Sequence, residues 1–476
     1  MNSVYTVATV QMSKLYMVES PILRYLLPGS QGLLLTLFII VVLTGNSDAN
    51  TEVIPTIAIK ESLINTNRDS DEDESGRVTN LKPGIIVIRD GPRSTLSLAY
   101  ELNIVRNHGL DEDDRETNLL DFFVDYQHIP GKWVSAFRAS SELTNIDPNG
   151  FQTTNPDFIG DNTTELHVVA VDSNIRDRLT DTIEYRGQVN ADLAQYDEED
   201  TPDTYGYGYL FGLDNERSPN RFLWNTSIDS QTAGDDETED RIDTFDLLLR
   251  YLLNTEWSGF ASYTYTDTEF SVLDDEATLL GFTWQPNSRN YISVGAGKRG
   301  DENNYLLDIR YTKRHMTLLA NYTEDITTAR ADTLNRKESE SIAQPTSQSI
   351  STVPVLQKSA TLDFILTGNY STITVSAFQT DRSEATGITE NEITTGGRFR
   401  YRRDLSPKNS LFFDVLQQET EEIETNDLSE ITLSYRHQRS RVEIIDVALS
   451  YAEQESTDED NEYDQTILSA EYRVSF

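Results

Sequence analysis

Cysteine is absent from the 476 residues, which excludes a disulfide framework, a thiolate metal site, a cysteine nucleophile and a lipid-attachment cysteine. Basic residues are scarce. Lys plus Arg number 39 against 80 Asp plus Glu, and the net charge of -41 repels phosphate backbones, so no nucleic acid is a partner. The same balance argues against a polybasic membrane-surface protein. Long hydrophobic runs are missing with one exception, Leu33 to Leu43, which is too short to cross the roughly 30 Å of bilayer hydrocarbon. Aromatic residues are plentiful: 23 Tyr, 18 Phe and 4 Trp are too many for a disordered acidic chain.

The single apolar run fits the core of a signal peptide. Lys14 and Arg24 precede it, and Ser47-Asp48-Ala49 places small residues where a signal peptidase reads. Residues 1–49 are therefore expected to be removed, leaving a mature chain from Asn50; an uncleaved anchor is the alternative, and Met17 competes with Met1 as the start. Lys14 and Arg24 balance Glu19 and Asp48, so export delivers the whole negative charge.

No period of 3.6 persists after Asn50, whereas period-2 alternation recurs about every twenty residues. From Leu179 to Tyr196 the odd positions, including Ile183, Tyr185, Val189 and Leu193, are largely apolar, and the even ones, including Glu184, Arg186, Asn190 and Asp192, are polar. The rhythm returns in Leu96 to Ile104, Leu120 to Tyr126, Phe245 to Leu253, Tyr305 to Tyr311, Met316 to Tyr322 and Ile431 to Tyr435. Such segments approach the nine to eleven residues, roughly, that a tilted strand needs to cross a membrane.

The connections are read as alternating strictly between short and long. The short ones carry Arg or Lys with turn formers, as in Asp90-Gly91-Pro92-Arg93, Ser173-Asn174-Ile175-Arg176 and Leu405-Ser406-Pro407-Lys408. The long ones are acidic, as in Asp69 to Gly76, Asp197 to Asp203 and Glu453 to Asp464. Barrels of the bacterial outer membrane have short periplasmic turns and long outward loops. The expectation is an all-β fold: residues 50–476 form a closed antiparallel transmembrane barrel of about 22 strands, within a range of 18–22, in the outer membrane. The last segment alternates in the same way, and Tyr472, Val474 and Phe476 resemble the carboxyl-terminal signal read by the barrel-assembly machinery.

Two stretches resemble a known family, the outer-membrane β-barrel proteins associated with exopolysaccharide and PEP-CTERM protein-sorting loci, also grouped as β-barrel porins. One is Asn80-Leu81-Lys82-Pro83-Gly84-Ile85-Ile86-Val87 with Gly91 to Tyr100; the other runs from Trp284-Gln285-Pro286 to Asp325-Ile326-Thr327-Thr328-Ala329-Arg330. The resemblance implies location and gene context, with exopolysaccharide export components as partners, rather than a catalytic activity.

Within the barrel, polar side chains opposite the lipid face are expected to line the lumen, among them Glu184, Arg186, Asp192, Asp246 and Arg250. Alternation begins by Ile54, which leaves no room for the amino-terminal plug domain of a TonB-dependent receptor. The link from Glu324 to Leu356 is the remaining candidate plug. Of five His, none has metal-ligand spacing, and His167 alone stands as a starting point for an enzyme reading. Acidic runs such as Asp69 to Glu74 lack the glycine and distal glutamate of a calcium loop and read as solvated segments facing lipopolysaccharide. The leading expectation is a passive, porin-like pore for polar solutes or exopolysaccharide, without cofactor or turnover. A structural or adhesive barrel with a filled lumen and a barrel enzyme are the alternatives; the solute and the oligomeric state are left open.

Overall fold

The computed structural model describes residues 50–68, 74–110, 114–145, 163–197, 203–235, 239–268, 275–328, 354–384, 392–421, 425–457 and 462–476. The expected signal peptide, the run Asp69 to Asp73 and most of the Glu324 to Leu356 link lie outside them.

Twenty-two strands make up the described chain. They are β1 (Asn50–Arg68), β2 (Glu74–Asp90), β3 (Ser94–His108), β4 (Arg115–Ile129), β5 (Trp133–Asn145) and β6 (Thr163–Arg178). Next come β7 (Glu184–Tyr196), β8 (Thr204–Asp214), β9 (Phe222–Gly234), β10 (Glu239–Leu252), β11 (Trp257–Thr268) and β12 (Asp275–Asn287). Then follow β13 (Asn290–Arg299), β14 (Glu302–Lys313), β15 (Met316–Thr328), β16 (Pro354–Thr367) and β17 (Ser371–Glu384). The last are β18 (Glu392–Ser406), β19 (Asn409–Glu421), β20 (Thr425–Gln438), β21 (Glu443–Ser456) and β22 (Tyr463–Ser475).

Each strand pairs with the next in one sheet, and β1 pairs antiparallel with β22 from Thr56↔Ser475 to Arg68↔Tyr463, closing the ring. Closure leaves no row of unpaired backbone groups, each of which would cost several kcal/mol in hydrocarbon. At the seam Gln465 donates to the Thr66 hydroxyl at 3.0 Å, and the Phe476 backbone N–H donates to the Pro55 carbonyl at 2.9 Å. The fold is thus the expected all-β closed barrel. Among the described residues there is no helix and no plug domain.

The strand ends correct the sequence reading in three places. Ser173 to Arg176 are not a turn: they pair inside β6, Ser173 opposite Val189 and Arg176 opposite Arg186. The turn is Leu179 to Ile183, where the N–H groups of Leu179 and Thr180 donate to the Ile183 carbonyl and the Thr180 hydroxyl accepts from Thr182 and Ile183. Two apolar residues at its ends imitate continued alternation, while a threonine that bonds its own backbone breaks the strand. The strict alternation of lengths fails between β13 and β14, joined on the long-link side by Gly300 and Asp301 alone. Gly300 has φ of +52°, a conformation that side chains with a Cβ rarely take, which permits so tight a reversal. The Glu324 to Leu356 link is also shorter than expected, because Thr328 pairs with Pro354 and Ile326 with Leu356.

Candidate functional site

Because side chains alternate across a strand, the ring divides every strand between two faces. On β8, Tyr207, Tyr209 and Phe211 are exposed on one face, while Gly206, Gly208, Gly212 and Asp214 share the other. The first face continues around the ring as exposed apolar residues: Val189 on β7, Phe245 and Tyr251 on β10, Leu280 and Phe282 on β12, Leu433 on β20, Leu449 on β21 and Leu468 on β22. Leu280, near the middle of its strand, is 70% exposed. Tyr472 and Val474 lie on this apolar face, and the Tyr472 hydroxyl donates to Glu443 at 3.0 Å.

All four tryptophans, Trp133, Trp224, Trp257 and Trp284, also belong to the apolar face, and each stands at the short-turn end of its strand. Trp133 stacks on His128 with ring centroids 4.4 Å apart, and Trp257 lies 6.0 Å from Trp284. The basic residues of the turns gather at the same end: Arg93, Lys132, Arg217, Arg221, Arg289, Arg314, Lys408, Arg439 and Arg441.

The polar face carries the expected site residues. Glu184, Arg186 and Asp192 share it on β7, and Asp246 and Arg250 share it on β10. The register sets Arg186, Gly212, Ser227, Asp246 and Thr264 in one row across β7 to β11. Arg186 and Asp246 are therefore three strands apart, about 14 Å at ordinary strand spacing, and they do not pair. The Arg186 side chain lies over Gly212, where a Cβ would come within 2.6 Å of Nε. Asp246 accepts from the Thr264 hydroxyl at 2.8 Å, and Arg250 Nε is buried without a hydrogen-bond partner among the described residues.

Glu184 is the centre of a cluster. Its side chain is only 5% exposed, and it faces Arg217 of the β8–β9 turn at 2.5 Å, Arg176 at 2.9 Å and Arg178 at 3.8 Å. Next to it Gln188 donates to Asp172 at 2.7 Å. The five expected residues thus fall into two groups, and the arginines that complete the first come from β6 and a turn distant in sequence.

The richest part of the polar face was not anticipated. On β18, Arg398, Arg400, Arg402 and Asp404 occupy successive polar positions. Asp414 on β19 binds Arg398 through two contacts of 2.8 Å and Arg400 through one of 2.9 Å. Phe412, on the same face of β19, lies 5.6 Å below the guanidinium carbons of both Arg402 and Arg436. The sequence signal was the run Arg398-Phe399-Arg400-Tyr401-Arg402, which alternates cation and ring. Apolar residues share this face farther along: Phe378, Leu416, Leu428, Ala452 and Tyr463 form a buried cluster.

His167 lies beside a carboxylate. Its Nε2 is 3.8 Å from Glu165, and Ser141, opposite it on β5, gives its hydroxyl proton to the Asn118 carbonyl at 2.5 Å. His437 falls within β20 and His108 ends β3. Among the described residues no three His, Asp or Glu side chains gather as a metal site.

Geometry defines the class first: a closed 22-stranded antiparallel barrel with an apolar exterior and a polar opposite face. No family model matches the chain, and no curated protein matches it in sequence. Among solved structures it is similar to the siderophore receptor PirA from Acinetobacter baumannii, at 10% identity over 90% of this chain and 81% of that one, with a TM-score of 0.51. Two others align at lower scores. The FrpB iron transporter from Neisseria meningitidis gives 7% identity over 91% and 82% with a TM-score of 0.47. OccK2 (OpdF) from Pseudomonas aeruginosa gives 8% over 89% and 98% with a TM-score of 0.39. The PirA likeness is one of fold.

Proposed function

We propose that the protein is a passive channel of a bacterial outer membrane. The observation that carries this reading is the division of one closed ring into an exposed apolar face and a polar opposite face. So large an exposed apolar surface on a soluble protein would drive association, whereas in lipid it is satisfied. The polar face, with Glu184, Arg186, Asp192, Asp246 and Arg250, then lines the lumen, and solutes are sorted by size and charge without turnover. Four tryptophans at one end support the placement, since indole rings favour the membrane–water interface. The basic short turns face the periplasm, and the acidic connections face outward towards lipopolysaccharide. Residues 1–49 direct export, and the apolar residues Tyr472, Val474 and Phe476 are read by the barrel-assembly machinery. Exopolysaccharide, with its export components, is the solute system that the sequence resemblance favours.

Conductance of the purified protein in planar bilayers is the test. Steady channels are expected; a folded barrel that stays silent at high protein concentration would overturn the channel reading.

A further inference from the structure

We infer that a cavity at the short-turn end of the polar face is a binding site for a solute bearing a single carboxylate, of the sugar-acid class; this rests on the channel reading for the solute's route. The cavity measures about 900 Å³ and is built by β18 to β21 and their turns. That volume lies within the range of about 300–1,000 Å³ in which small molecules bind.

Charge gives the class of ligand. Arg402, Lys408 and Arg436 line the cavity on the polar face with Asp404, and Asp446 lies at its edge on Arg436, so three positive charges less two negative leave a surplus of one, while Arg403 points to the apolar side. This stands within a chain of net charge -41. An anion is attracted here and repelled by most of the rest of the protein. A single carboxylate neutralises that surplus of one, whereas a phosphate dianion would leave net negative charge in an already acidic protein, which favours the carboxylate.

The arginines are also held ready. Arg402 stands directly opposite Phe412, and Arg436 approaches the same ring from the strand beyond, each with its guanidinium carbon 5.6 Å from the ring centroid. An aromatic seat between two guanidinium forks keeps both extended and limits the ordering needed on binding. Each guanidinium has five N–H donors. Arg402 gives Asp404 only its Nε proton at 3.2 Å, and Arg436 gives Asp446 those of Nε and Nη2 at 2.8 and 3.2 Å. Their other donors have no acceptor among the described residues, and the fork suits both oxygens of a carboxylate. Ser406 and Gln438 on the same wall can bond the hydroxyls of a sugar.

The test titrates the purified full-length protein with sodium galacturonate and with galactose by calorimetry, alongside bilayer conductance. Galacturonate is expected to bind and galactose not to. R402Q/R436Q should weaken galacturonate binding about tenfold or more while the barrel keeps its heat-modifiable migration. If that variant fails to fold, K408Q, which breaks no ion pair with a carboxylate among the described residues, should weaken binding several-fold. Equal binding of both sugars, or galacturonate binding unchanged in the variant that folds, overturns the site. Galacturonate binding by a barrel that conducts nothing upholds the site and sinks the channel reading; conductance without galacturonate binding does the reverse.

Discussion

Glu184 on β7 faces Arg217 of the β8–β9 turn at 2.5 Å, and the same carboxylate holds Arg176 from the strand on its other side at 2.9 Å. One buried anion thereby ties a turn to the wall on which it closes. Glu184→Gln leaves the guanidiniums without their counter-charge. Because those arginines are more than half exposed, water screens them and the cost is about 1–2 kcal/mol, below that of a fully buried pair. The expected readouts are a lower urea midpoint for unfolding and faster tryptic cleavage after Arg217 or Arg221. An unchanged midpoint and cleavage rate would show that the cluster holds nothing.

Leu280 and Leu279 are neighbours on β12 that point to opposite faces, Leu280 outward with the apolar set and Leu279 inward beside Ser262 and Gly297. Leu280→Arg is expected to cost about 2–4 kcal/mol in lipid, as for a cation near the bilayer midplane. Leu279→Arg should fold normally and lower cation permeability. Similar folding yields for the two variants in lipid vesicles would mean that the faces are misassigned.

Gly281 is fixed by close approach. A Cβ there would meet both the Val294 carbonyl oxygen and the Phe260 ring, which crosses the polar face towards it. Gly281→Ala should destabilise the barrel by about 1–3 kcal/mol. Adding Phe260→Ala should restore only part of that, since the carbonyl is backbone and cannot move aside. Full rescue, seen as a recovered heat-modifiable band, would show that the ring alone sets the constraint.

Four tryptophans toward the short-turn end make a spectroscopic ruler. Their fluorescence should be quenched more by nitroxides near the lipid headgroups than by nitroxides at the chain ends. Stronger quenching from the bilayer centre would remove the placement of the short-turn end at the interface.

Asp414 holds Arg398 and Arg400 through three bonds. Asp414→Asn removes one negative charge from the lumen wall and frees both guanidiniums. In a salt gradient the reversal potential should move towards anion preference; no movement, or the opposite sign, would place this cluster off the ion path.

Much of this barrel is written along the chain. Alternation at Leu96 to Ile104 or Phe245 to Leu253 marks a strand and also its two faces, because a pleated strand has a side-chain period of two. The same rule put Glu184, Arg186, Asp192, Asp246 and Arg250 on the polar face. It erred at Leu179 and Ile183, where apolar residues keep the rhythm but the Thr180 hydroxyl has captured the backbone. It also missed Phe260, Phe378 and Phe412, aromatic residues on a polar face, since local pattern assigns a ring to the oily side.

The sequence by itself determined the number of strands, the division of their faces and the asymmetry between basic turns and acidic links, since each depends on residues close together in the chain. Only the tertiary structure decided which strands meet. Gln465 reaches Thr66 across nearly the whole length of the chain, and Arg402 and Arg436 meet at Phe412 only because the β18–β19–β20 register brings them there. Closing the ring satisfies the last backbone hydrogen bonds through the β1–β22 pairing, while the cavity arises where the β18 to β20 register stacks charges that lie on separate strands.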